Sequence, residues 1–173
     1  MGVAEVEPVT EARMGMMRAA VLWVLTAGAA AAQCAPDRVD VRGKFGTVRF
    51  RTELATTPQE QSRGLMFRDS LARLSAMLFV YPEARNVSFW MRNTEIPLDM
   101  IFIDPAGVIV RVHENAVPFD ETPIPAGAPT LAVLEINGGL ASELGIDAGD
   151  EVRNPVLPQE EAAWPCDEAA EEG

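Results

Sequence analysis

Leu98-Asp99-Met100-Ile101-Phe102-Ile103 is the stretch that decides how this chain folds. In an extended strand, alternate side chains point to opposite faces of the sheet. Here both sets, 98/100/102 and 99/101/103, are apolar apart from Asp99, so the strand should be covered on both faces and Asp99 buried. Leu131-Ala132-Val133-Leu134-Glu135-Ile136 repeats the pattern with Glu135 as the embedded acid. Two unpaired buried carboxylates would be strongly unfavourable. Arg63 and Arg92 are the candidate partners, because a planar guanidinium can satisfy a carboxylate with two hydrogen bonds.

Outward from this strand, Asp104-Pro105-Ala106-Gly107 offers a tight turn into Val108–Val112, which makes the pair a hairpin. Met77–Val80 and Ser88–Met91 are further short apolar runs between turn residues, and each reads as a strand. Val48–Leu54 alternates apolar and polar residues, with Val48, Phe50 and Leu54 inward, and is expected to pair antiparallel. Thr57-Pro58-Gln59-Glu60 combines an N-cap hydroxyl, a proline at the first helical position and a capping-box glutamate, with Gly64 available as a stop. Residues 117–129 are proline-rich and read as a surface loop. Gly138–Leu144 can form a helical turn, and 145–152 supplies another turn and a last strand. The sum is an α+β fold, mainly an antiparallel β-sheet curled toward a barrel, with one or two short helices.

The ends differ from this centre. Ala19–Ala32 is almost wholly apolar, follows Arg13 and Arg18 and closes on small residues, which is the pattern of a secretory signal peptide. It is too short to span a bilayer. Residues 1–33 are therefore read as a leader, with Met14, Met16 or Met17 as alternative starts because Glu5, Glu7 and Glu11 do not suit a basic leader. Residues 38–157 form one domain, and 158–173 read as a disordered acidic tail with an isolated Trp164. A periplasmic or secreted location follows. Cys34 and Cys166 flank the domain, so Cys34 is either a lipid anchor, leaving a membrane-attached lipoprotein, or the partner of Cys166 in a disulfide. Formal net charge is −12, of which the centre carries −5. A surface of this sign repels phosphate backbones, so nucleic acid is not an expected partner.

The chemistry-bearing residues cluster between 63 and 104 and at 135. Asn93-Thr94-Glu95-Ile96-Pro97 suits a hydroxyl or Asx turn, and loops of this kind often carry binding groups. Trp90 and Met91 just upstream are either pocket walls or core. The candidate ligand-binding set is Arg63, Trp90, Arg92, Asn93, Thr94, Asp99 and Glu135, serving a small polar ligand or an envelope partner. An alternative is a hydrolase with Asp99 and Glu135 as acid and base, which requires both in one cleft. His113 is the single histidine, which excludes a two-histidine metal site, and no metal or cofactor is expected. Nucleophile-elbow, phosphate-loop and zincin motifs are absent.

RGLMFR at 63–68, MLF at 77–79, FWMRNTEIPLDMIFID at 89–104, VLEINGG at 133–139 and GIDAGDEV at 145–152 together resemble the family known as domain of unknown function 192. The resemblance covers about residues 45–156. It implies a compact β-rich fold, often behind a leader or membrane anchor, and carries no established activity. Arg92 stands where the family usually has lysine, and Ala76 where it has glycine, which would shift the turn before Met77.

Overall fold

In the computed structural model, which describes residues 34–166, the 98–103 stretch is a strand with every residue buried. In chain order the elements are β1 (Arg38–Gly43), β2 (Gly46–Ala55), α1 (Pro58–Arg63), β3 (Ser75–Arg85), β4 (Ser88–Phe89), β5 (Leu98–Ile103), β6 (Ile109–Ala116), β7 (Ile124–Pro125), β8 (Thr130–Asn137), α2 (Leu140–Leu144) and β9 (Glu151–Arg153). Seven strands make one sheet in the order β6-β5-β8-β3-β2-β1-β9, and β4 pairs with β7 apart from it. This is the expected α+β fold with a curled, mainly antiparallel sheet and two short helices. Residues 1–33, read above as a leader, and residues 167–173 lie outside the described residues.

The sheet curls until its outermost strands meet at one end. Val108, just before β6, bridges Glu151 of β9, and Gly107 and Val152 share a backbone hydrogen bond of 2.8 Å. A Cβ on Gly107 would lie 2.8 Å from the Val152 carbonyl oxygen, and its φ of 80° is left-handed, so glycine is required where the edges touch. Inside the curl lies one core, with Val39, Phe50, Leu78, Ile101 and Leu134 among its members, closed by Leu140 and Ala141 of α2. A second core covers the opposite face of the sheet, where Phe79, Met100, Phe102 and Val133 pack beneath Leu65, Met91 and Ile124. Two cores on one sheet explain why β5 and β8 are apolar at nearly every position.

Three expectations are corrected. β2 pairs antiparallel with β1 but parallel with β3, because the chain between them runs through α1 as a crossover rather than a hairpin. Residues 117–129 are not simply a surface loop, since β7 pairs with β4 and buries Ile124. The acidic tail is ordered over its first part. Trp164 is only 4% exposed and packs against the guanidiniums of Arg153, 4.1 Å from its ring centre, and Arg42, 4.6 Å away. Cys166 then bonds to Cys34, so the folded unit runs past 38–157 at both ends. That bond uses the sulfur on which a lipid anchor would depend. Ala76 lies within β3, so its departure from the family pattern falls in a buried strand position and not in a turn.

Candidate functional site

Strand register separates the two embedded acids. Asp99 lies opposite Ile136, on the face that fills the curl, whereas Glu135 lies opposite Met100 and Met77, on the other face. Side chains on opposite faces of a sheet cannot share a cleft, so the acid/base pair of the hydrolase reading does not form. Neither Arg63 nor Arg92 partners either acid. Arg63 is exposed, and Arg92 sits 3.9 Å from Glu121 and 5.9 Å from the Trp90 ring centre.

Asp99 is fully buried and fully engaged. One carboxylate oxygen accepts the backbone N–H of Asn115 and of Gly139, both at 2.8 Å, and the other accepts that of Ala141 at 2.7 Å. It thus caps the start of α2 and ties β5 to β6, a structural role.

Glu135 is different. It is 5% exposed and makes no hydrogen bond or ion pair among the described residues. Burial pushes its carboxyl up to about 8, and only the charge of Arg68 opposes this. Arg68 is itself held by Glu53, through two hydrogen bonds of 2.6 and 2.8 Å.

Glu135 lies at the base of a cavity of about 180 Å³. Phe79 and Tyr81 of β3 lie on its strand face, while Gln61, Ser62, Arg63, Gly64, Leu65 and Met66 form one wall. That wall is built by local rules. The Thr57–Glu60 capping box starts α1, and the side-chain amide of Gln61 donates to the carbonyls of Ala55 and Val80, at 3.2 and 2.8 Å, fastening the helix to β2 and β3. Gly64 then turns the chain at φ 48°, and its missing Cβ leaves room for Phe79, which a Cβ would approach to 3.2 Å, with Glu135 Oε2 at 4.0 Å. Ser88, Phe89, Trp90 and Thr94 form the other wall. Phe89 stands edge-on between Phe79 and Phe102, with ring centres 5.1 and 6.1 Å apart.

Of the predicted site residues, Arg63, Trp90, Thr94 and Glu135 meet at this cavity. Trp90 is 48% exposed and is therefore wall rather than core, while Met91 is core. Asn93 adopts a left-handed φ of 53° and accepts the N–H of Phe67 through its carbonyl, 2.9 Å away, so it joins the two walls from behind. Thr94 does the same for Phe119 at 3.2 Å. Phe67 and Phe119 are themselves left-handed and more than 60% exposed, which leaves apolar rings standing beside the walls. Asp99 and Arg92 do not line the cavity. Sequence reasoning missed Phe79, Tyr81 and Arg68. Phe79 and Tyr81 share the period of Met77, but only the pairing of Met77 with Glu135 puts them beside the acid.

His113 is partly buried on β6, where burial and Arg111 push its imidazole pKa below the usual value and Asp99 pulls it up. Among the described residues, no group of three or more His, Cys, Asp or Glu side chains gathers as metal ligands would, and no helix is long and apolar enough to cross a membrane.

A curled sheet carrying a small cavity of mixed lining over an acid without a hydrogen-bond partner among the described residues defines the class of protein in physical terms. The match of residues 39–154 to DUF192, described as Uncharacterized ACR, COG1430, shows that the chain belongs to that family. It is similar to a protein of unknown function from Novosphingobium aromaticivorans DSM 12444, with 52% identity over 67% of this chain and 83% of that one, and a TM-score of 0.66. It is also similar to a Sinorhizobium meliloti 1021 protein described as a "putative transcription regulator", with 41% identity over 70% of this chain and 95% of that one, and a TM-score of 0.67. No curated protein matches the chain.

Proposed function

We propose that this protein is an exported module that binds a small ligand in the pocket over Glu135. The observation that carries the reading is the state of that carboxyl: buried, without a hydrogen bond, and lining a cavity with exposed Arg63 and Trp90 in its walls. With no protein partner, the carboxyl oxygens meet only the cavity, so whatever occupies the cavity supplies their hydrogen bonds. The cavity is smaller than the roughly 300–1,000 Å³ of sites for drug-sized molecules, which limits the ligand to a small molecule or the end of a chain.

Export is supported by the leader-like segment at 19–32 and by the Cys34–Cys166 disulfide, a bond that persists in oxidising compartments. Envelope or extracellular space is therefore the proposed location. A net charge of −12 gives no attraction to phosphate backbones, so the reading includes no nucleic-acid partner.

The test is mass spectrometry of small molecules released on denaturing protein isolated from its native source, comparing the wild type with Ser88→Trp, which places an indole in the cavity wall. A compound retained by the wild type and lost from the folded variant is the expected result. The same compounds in both, or none in either, would remove the pocket from consideration.

A further inference from the structure

The pocket, we infer, takes a carboxylate carried on a small apolar body, with Glu135 in its protonated form donating to one ligand oxygen and Arg63 supplying the positive charge. This rests on the small-ligand reading above and adds the chemical class. Three observations lead to it.

First, a carboxyl that is largely withdrawn from water, with no hydrogen-bond donor and with only the charge of Arg68, itself held by Glu53, acting on it, keeps its proton above the ordinary range, since desolvation penalises the charged form. Glu135 is in that position. A protonated carboxyl offers an O–H donor beside a carbonyl acceptor, and its strongest complement is an anionic oxygen, which makes a charge-assisted hydrogen bond.

Second, the surroundings are cationic although the chain as a whole is acidic. Arg63 lines the cavity and has no acidic partner among the described residues. Arg85 lies 4.3 Å from the ring centre of Tyr81, and Arg92 lies 5.9 Å from that of Trp90, both rings belonging to the cavity walls. Glu121, 3.9 Å from Arg92, offsets part of that charge, so an ammonium ligand would chiefly meet Arg63 and Arg85, and an uncharged one would gain nothing from Arg63. A carboxylate satisfies Arg63 and Glu135 together.

Third, Leu65, Phe79, Phe89 and the face of Trp90 give the cavity an apolar side, alongside the polar groups of Gln61, Ser62, Ser88 and Thr94, so the body that carries the carboxylate has an apolar face to lay against that side.

Binding should then depend on pH. The groups that face Glu135 are Arg68, which lowers its pKa, Tyr81 and Arg63 in the cavity, and Glu53, held by Arg68. β5 presents only Leu98, Met100 and Phe102 on this face. Once Glu135 ionises, near pH 8, it repels a second carboxylate.

The experiment titrates the full chain with benzoate, benzamide and benzylammonium, three probes of similar shape and different charge, by calorimetry and by amide chemical shifts. Benzoate is expected to bind tightest, with shifts at Gly64, Leu65 and Trp90, and to lose about tenfold in affinity from pH 7 to pH 9 as one proton leaves. In Glu135→Gln, whose amide N–H replaces the acid O–H, that fall disappears. Arg63→Ala should weaken benzoate by about tenfold and leave benzamide unchanged. Benzamide or benzylammonium binding in the pocket as tightly as benzoate would overturn the carboxylate assignment while leaving a binding module in place. So would a benzoate affinity indifferent to Arg63→Ala. If none of the three probes moves the pocket resonances, the carboxylate assignment falls, and the small-ligand reading is then decided by the released-compound comparison alone.

Discussion

Glu135 holds its proton to about pH 8 in the folded protein, whereas an ordinary glutamate titrates near 4.5. Between those values the native state binds more protons than the unfolded chain, so stability falls as pH rises, by at most about 1.4 kcal/mol per pH unit from this group. Above about 8 both states are ionised and the loss is complete. Urea midpoints of the wild type should therefore decline across that window relative to Glu135→Gln, which has no proton to lose. Parallel curves for the two proteins would show that Glu135 titrates normally. The two acids also mark the reach of sequence at this scale. Their runs of apolar neighbours announced burial for both, and burial is found for both. The fate of each was not legible, because it depends on which strand residue lies opposite: Ile136 for Asp99 and Met100 for Glu135. A buried ion-pair network does tie strands together, but around Asp40, which receives Arg49 at 2.6 Å and Arg153 at 2.8 Å. Burial raises the Asp40 pKa, and the two arginines more than reverse the effect and hold it below the usual range.

Among the elements, α2 is the clearest case of a short helix made by its surroundings. Five residues are too few to be helical alone, and Gly139 at its start offers no side-chain cap. Asp99, forty residues earlier, supplies the acceptor instead. Asp99→Ala would leave three backbone N–H groups without their partner, and is expected to cost roughly 3 kcal/mol or more, read as a lower urea midpoint with accelerated amide exchange at Gly139 and Ala141. A cost below about 1 kcal/mol would mean that water replaces the carboxylate. By contrast α1 was legible from Thr57 to Gly64, because its capping box and its glycine stop are local signals. The hairpin of β5 and β6 was legible for the same reason. The parallel partnership of β2 and β3 was not, since it is set by a crossover whose return point no local residue announces. β1 carries the same period-two signal as β2, with Val39 and Val41 between Arg38, Asp40 and Arg42, and was legible by the same rule although it was not read.

For the molecule as a whole, the seam between its ends matters most. The disulfide joins residues 132 apart, and the segment it secures lays Trp164 over Arg153 and Arg42. Replacing Cys34 and Cys166 by serine should lower stability by about 2–5 kcal/mol in urea, and should red-shift Trp164 emission before the main transition as the segment comes away. One cooperative transition with unshifted early fluorescence would show that the segment holds without its bond. Composition misled here. An acidic run predicts solvation, and Glu160 and Glu161 are indeed exposed, but the indole of Trp164 against two guanidiniums, with the disulfide beyond it, anchors the stretch that contains them.

The same bond also reroutes mechanical load. The α-carbons of Cys34 and Cys166, at the two ends of the described residues, are only 5.6 Å apart. Tension applied at those two residues passes from sulfur to sulfur, and the strands between them, with the walls around Glu135, stay outside the line of force.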